Sequence, residues 1–300
     1  MYGSTKREDF RWVEGYEDHT LDLAFVWDQN EDLTGVVINL ACPSQVTESE
    51  SYISADFWHE VRCELRQRHA EDIFVLAQCA AAGDQSPHLQ LYERPEAAMR
   101  KKRGFTERQE IARRIANAVD DVLPIARDDI QTDVPFAHTL ETLSLPARRI
   151  TEDEYEQRVA EHEQLQADKP APDDMTAYSR WFWSNRRYER AIEAYSRQDD
   201  SPHIDTDVHV VRLGDTAFAT NQFELFLDFG LRIKARSKAQ QTFIIQLTAT
   251  RTGQEGTYLP TKRAVAAKSY GAQAVDNVVG PEGGQVLVEQ TLGMIDRMWE

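Results

Sequence analysis

The sequence predicts an α/β fold, a mixed open sheet flanked by helices with a helical insertion in its middle. Three observations predict it. Apolar runs of strand length recur along the chain, amphipathic helical stretches alternate with them, and a polar and then aromatic helical pair interrupts the series. The alternation in Leu21-Asp22-Leu23-Ala24-Phe25-Val26-Trp27 reads as the first strand. A turn at Asp28 to Asp32 leads to Val36-Val37-Ile38-Asn39-Leu40-Ala41, apolar on both faces and therefore a central strand. Ser54 reads as the cap of a helix running to about His69, with Phe57, Val61 and Leu65 on one face. A third buried strand follows at Ile73 to Ala77.

Thr106 to Ala126 is an amphipathic helix carrying Ile111, Ile115 and Val119, and Phe136 to Leu145 is a further strand. From Thr151 to Asp168 the pattern is nearly all polar, a solvated helix that Lys169-Pro170-Ala171-Pro172 ends. Asp173 or Asp174 starts the next helix, on which Tyr178, Trp181, Phe182, Tyr188, Ile192 and Tyr195 mark a buried face. These two helices, at about 150–200, are the insertion. Val208 to Leu213, a Gly214-Asp215 turn and Thr216 to Thr220 form a hairpin. Phe223 to Ala235 reads as helical, Thr242 to Leu247 as a buried strand, and Gly283 to Trp299 as a terminal helix. Residues 1–300 thus form one domain.

Composition narrows the function. With 41% hydrophobic and 28% charged residues the chain has a sizeable core and a soluble surface. A net charge of −17 argues against nucleic acid or an anionic membrane surface as the main partner. The apolar runs are too short to span a bilayer, and Met1-Tyr2-Gly3-Ser4-Thr5 lacks the pattern of a secretory signal. Cys42, Cys63 and Cys79 are odd in number and show no CxxC spacing, so neither a disulfide framework nor a zinc knuckle is implied.

Gly83-Asp84-Gln85-Ser86-Pro87 follows the third strand and a tail of small residues. A buried strand that ends this way presents the next hydroxyl at the sheet's edge, where open α/β sheets build sites. The same turn also serves simply to end a strand. No Gly-x-Ser-x-Gly elbow accompanies it.

Several segments together resemble the amidase domain of the neutral (non-lysosomal) ceramidase family. They are Gly83-Asp84-Gln85-Ser86-Pro87, then Glu224-Leu225-Phe226-Leu227-Asp228-Phe229-Gly230-Leu231-Arg232, then Tyr258-Leu259-Pro260-Thr261, and Tyr270 twelve positions on. The similarity covers most of the chain and is weakest from about 90 to 200. It implies Ser86 and Tyr270 as catalytic residues, Glu224 and Tyr258 as ligands of a zinc ion, and hydrolysis of a linear amide in a ceramide-like N-acyl lipid, a step of sphingolipid metabolism. It also implies an exported protein whose partner is a small amide or lipid substrate. Two departures stand beside the matches. Pro43, in Ala41-Cys42-Pro43-Ser44-Gln45, occupies the position where the family carries a histidine ligand, and the family's upstream His-x-His segment has no counterpart, as expected of a domain incomplete at its N-terminus. A non-catalytic relative that binds a ligand or partner is the alternative.

Each residue also has a structural reading. Asn221 with Glu224 three residues on approximates a capping box. Tyr258 suits a turn anchor before Pro260, and Tyr270 a ring packed on the terminal helix. Gly280-Pro281-Glu282-Gly283-Gly284 either cradles an anion at a helix start or serves packing.

Overall fold

β1 (Leu21–Trp27) and β2 (Leu33–Leu40) fold back on each other across the Asp28 turn, whose carboxylate accepts from the backbone N–H of Asn30 and Asp32. The computed structural model describes residues 5, 6, 8, 10, 12, 13, 15–251 and 257–300. β3 (Phe74–Cys79) lies parallel to β2, with Val36 opposite Val75 and Leu40 opposite Cys79. A parallel pair needs a long crossover, and α1 (Phe57–Arg68) supplies it. Phe57, Val61 and Leu65 bury its apolar face on this sheet, joined by Ile115 and Val119 of α3 (Glu107–Arg127). The cap of α1 is Asp56, not Ser54. Asp56 Oδ1 accepts from Phe57 N at 2.8 Å, while the Ser54 hydroxyl accepts from Asp56 N one step upstream.

The second sheet has the order β4 (Phe136–Pro146), β5 (His203–Leu213), β6 (Thr216–Thr220), β8 (Gln241–Ile245). Its first three strands are antiparallel and β8 joins β6 in parallel, so the fold is α/β with mixed sheets. Between β4 and β5 the chain inserts α4 (Glu152–Ala167) and α5 (Met175–Arg197). These pack through the stacked rings of Tyr155 and Tyr195 and through Trp181, whose indole N–H donates to Leu165 O at 3.0 Å. The aromatic cluster divides around the helix: Trp181 is buried, whereas Phe182 and Trp183 face solvent, because adjacent helical positions point about 100° apart.

The two sheets join where β8 ends beside β3. Gln246 N donates to Cys79 O at 3.1 Å, and the buried Asn39 side chain donates to Ile244 O at 2.8 Å. A third, two-stranded parallel sheet, β7 (Glu224–Leu225) with β9 (Tyr258–Leu259), lies at this junction. Residues 224–226 are therefore extended and Phe223 lies in a bend, so none of them is helical, and α6 (Leu227–Arg236) begins only after them. Phe223, Leu225 and Phe226 are fully buried, each contributing about 2 kcal/mol by burial. α8 (Pro281–Met298) covers the junction. A Cβ on Gly283 would lie 2.2 Å from Val279 and one on Gly284 2.3 Å from Phe229, so the glycines at the start of α8 serve close packing and leave no anion cradle.

On the opposite flank α2 (Glu93–Arg103) is tied to α3 by one buried carboxylate. Glu110, 2% exposed, accepts from Arg113, Arg114 and Arg103, which together hold its carboxyl down at about 2 against an ordinary 4.5. A depressed folded-state value contributes stability that is fully present above about pH 4.5 and is lost as the pH falls towards 2. The arginines are themselves partly exposed, which screens the contribution. Glu110→Gln is expected to lower unfolding stability by about 1–2 kcal/mol at pH 7 and by much less at pH 3, as read by urea denaturation at both pH values.

Candidate active site

The site is built on β7 and its neighbours. Parallel pairing sets Glu224 directly opposite Tyr258. The backbone around them is held on every side: Glu224 N donates to Thr257 O, Phe226 N to Leu259 O, and Tyr258 N to Asp276 O. The Gly83-Asp84 turn closes in from β3. Gly83 N donates to Leu225 O at 2.8 Å, and a Cβ on Gly83 would lie 2.2 Å from the Glu224 carbonyl oxygen. The residue must be glycine because backbone meets backbone there. The Asp84 carboxylate accepts from Leu227 N at 2.8 Å and so caps α6, whose own N-cap position is Phe226, with no side-chain acceptor. Asn221 accepts from Phe223 N instead, so the capping box expected for Glu224 does not form and its carboxyl is left for the cleft.

One buried side chain ties these pieces together. The Gln246 side-chain carbonyl accepts from both Ala82 N and Leu225 N at 3.1 Å, and its amide donates to Cys79 Sγ at 3.3 Å. Burial pushes the Cys79 thiol up to about 11 and the Cys42 thiol up to about 12, so both stay protonated small side chains.

Glu224 and Tyr258 face a cleft of about 790 Å³ whose aromatic wall comprises Phe10, Trp12, Tyr16, Phe226, Tyr258 and Tyr270. The Tyr270 ring meets the Tyr258 ring edge-on at 5.6 Å, and the Gly271 backbone packs against the other side, where a Cβ would lie 2.8 Å from Tyr258 Cγ. Burial raises the Glu224 carboxyl; its hydrogen bond from Tyr258 pulls the other way, and the charge of Asp276 adds to the rise. Burial and the neighbouring Glu224 carboxylate push the Tyr258 hydroxyl far above the ordinary tyrosine range. The phenol therefore remains a neutral donor beside a carboxylate acceptor.

The structure brings Glu224, Tyr258 and Tyr270 into this cleft and places Ser86 beside it. Ser86 lines an adjoining hollow of about 630 Å³ that shares Gly15, Tyr16, Asp84 and Gln85 with the cleft. Its hydroxyl accepts from His88 N at 3.2 Å, while the His88 imidazole is held 2.9 Å from Glu48. Among the described residues no imidazole–hydroxyl pair is formed at Ser86. His59 on α1 and Asp56 at its cap, three residues apart, are separately engaged, with Cys63 and with Thr47.

As a zinc centre the described residues do not fit. Glu224 and Tyr258 bring oxygen donors only, and the neutral phenol is a poor ligand. Pro43 lines the cleft wall with no donor atom, and no group of three His, Cys, Asp or Glu converges among the described residues. Sequence reasoning missed Gln246, whose role depends on contacts 164 and 21 residues away. It also missed Arg263 and Lys268, which line the cleft from α7 (Lys262–Ala266) and the turn after it.

The fold is similar to that of the neutral ceramidase from Pseudomonas aeruginosa, with a TM-score of 0.60 at 14% identity over 94% of this chain and 47% of that one. It is similar also to a ceramidase complexed with C2, with a TM-score of 0.59 at 12% identity over 97% and 50%. The chain spans about half the length of these solved structures. At such identities the likeness is one of fold. No protein-family model and no curated protein matches the sequence. No helix among the described residues is long and apolar enough to cross a membrane.

Two stability outcomes follow from the packing. Gly83→Ala forces β7 away from the turn and is expected to cost about 2–3 kcal/mol, seen as a lowered Tm. Lys268 closes α7 in the left-handed region at φ 51, where glycine is preferred. Lys268→Gly is expected to stabilise the fold by about 1 kcal/mol, raising Tm by roughly 2 °C.

Proposed function

We propose that the chain is a ceramidase-like hydrolase whose cleft takes a linear amide of the N-acyl lipid class and cleaves it. The observation that carries this reading is the in-register Glu224–Tyr258 pair at the wall of an aromatic cleft. An amide presents one acceptor, its carbonyl oxygen, and one donor, its N–H. The pair presents the complement: a neutral phenol that donates and a carboxylate that accepts. The aromatic rings beside it offer apolar area for an acyl chain, and the cleft's volume is within the range of small-molecule sites. The ceramidase fold of the structures described above supports the same substrate class, and an exported location goes with it.

For hydrolysis, Glu224 accepts a proton from water as its oxygen bonds to the carbonyl carbon. Tyr258, with Tyr270 beside it, donates to the oxygen on which negative charge develops. The C–N bond then breaks and the proton passes to the leaving amine, giving a carboxylic acid and an amine. Ser86, in the adjoining hollow, bounds the substrate's far end on this reading.

A second reading, a relative that binds the amide without turnover, is favoured by the donor set: Pro43 stands on the cleft wall and the described residues fit no zinc ion. One experiment separates the two. A fluorescent N-acyl sphingosine is incubated with the protein, and both bound ligand and released fatty acid are measured. The hydrolase reading expects release that falls at least about 100-fold in Glu224→Gln. Bound ligand with release no faster than in buffer gives the second reading, and neither binding nor release contradicts both.

A further inference from the structure

Away from the cleft, one face of the second sheet carries two imidazoles that meet each other. His138 on β4 lies opposite Val211 and His209 on β5 lies opposite Leu140, so the two histidines are diagonal neighbours on the same face. His138 Nε2 stands 3.0 Å from His209 Nδ1, with the ring planes within 9° of each other. His138 is exposed and His209 half-buried. Neither lines the cleft or the hollow beside it.

In water each ring could bond solvent instead, so a hydrogen bond between them adds little stability. What the contact provides is two nitrogens held close by two paired strands. Without an ion one nitrogen donates and the other accepts; once the shared proton leaves, both offer a lone pair. Two nitrogens each about 2.1 Å from a common ion stand about 3.0 Å apart when their bonds meet at a right angle. The separation present is thus the one a bidentate site needs. Tilting the rings about their soft terminal torsions turns both lone pairs toward an ion off the line between them. The strands hold that spacing: β4 pairs with β5 along its whole length, and His209 N donates to Thr220 Oγ1 at 3.0 Å.

The surroundings decide the kind of ion. Asp207, two positions along β5 on the same face, is taken by Arg251 and Thr142, and no third His, Cys, Asp or Glu joins the pair among the described residues. Magnesium and calcium take oxygen ligands and find none supplied here. Imidazole nitrogens suit late transition ions, and a net charge of −17 draws cations to the surface. We propose that His138 and His209 form a surface site for a late divalent transition ion, nickel or copper, whose remaining coordination positions are open to water. The bound ion ties the edge strand β4 to β5. This site is independent of the amide reading.

Calorimetric titration with nickel chloride tests it; copper is avoided as the probe because it oxidises exposed thiols such as that of Cys63. The wild-type chain is expected to take up one nickel ion. His138→Ala and His209→Ala are each expected to bind it at least about tenfold more weakly, and magnesium chloride is expected not to bind at the pair. Cys63 Sγ lies 3.7 Å from His59 Nε2 on α1, a rival pair of donors, so Cys63→Ser is expected to leave nickel binding unchanged. Nickel is also expected to raise the Tm of the wild type but not that of His138→Ala, an exposed substitution that leaves the metal-free Tm where it was. A wild-type chain that binds no nickel overturns the site. So does nickel binding that persists in both histidine variants or is lost in Cys63→Ser, and none of these results bears on the cleft.

Discussion

The Gln246 side chain is the interaction on which the site depends. One oxygen accepts from Ala82 N and Leu225 N, so a single buried group fixes the Gly83-Asp84 turn and β7 to the end of β8. Two backbone N–H groups that the sheets leave unpaired are satisfied there, and a side chain unable to accept would leave both buried without a partner, at about 1–3 kcal/mol each. Once these segments are fixed, Gly83 brings the turn into backbone contact with Glu224, and Asp84 reaches over to cap α6. Glu224 and Tyr258 then face each other across β7 and β9, and the chemistry of the cleft follows from that register.

The electrostatics of the pair follow from burial. Removing a carboxyl and a phenol from water disfavours the charged form of each; the Glu224 charge raises the phenol further, whereas the hydrogen bond from the phenol partly offsets the rise at Glu224. The result is a matched donor and acceptor, suited to an amide and ill suited to holding a zinc ion without help from imidazole or thiolate. Fold similarity to ceramidases and the departure at Pro43 are thus compatible statements. The α/β scaffold agrees with the expectation drawn from the sequence, whereas Glu224 and Tyr258, expected there as zinc ligands, stand in a described donor set that is not that of a zinc enzyme.

Much of the scaffold was legible in the sequence because its elements are long enough to carry a period. β1, β2, the β5–β6 hairpin and α3 all follow from alternation or helical spacing, and the insertion from its polar first helix and its Pro-rich break. The site was less legible. β7 and β9 are two residues long, too short for any periodicity, and the apolar run from Phe223 onward reads as the start of α6. The true cap of α6 comes from Asp84, 143 residues away, which no local pattern signals. Glu224, Tyr258 and Tyr270 were singled out by motif order and lie together, while Ser86, one turn beyond Gly83, is directed into the adjoining hollow. Lys268 carried no signal, since an exposed lysine after a short helix is unremarkable until its backbone conformation is known.

The central claim is that the Glu224–Tyr258 pair is an amide-holding clamp. A crystal structure of the protein with a long-chain N-alkyl alkanesulfonamide, in which a sulfonyl group replaces the amide carbonyl and cannot be hydrolysed in its place, tests it most directly. The account predicts a sulfonyl oxygen within hydrogen-bond reach of the Tyr258 hydroxyl, the ligand N–H on the Glu224 carboxylate, and the alkyl chain along the aromatic wall. A ligand seated elsewhere, or one in the cleft with Glu224 and Tyr258 still bonded only to each other, would contradict it.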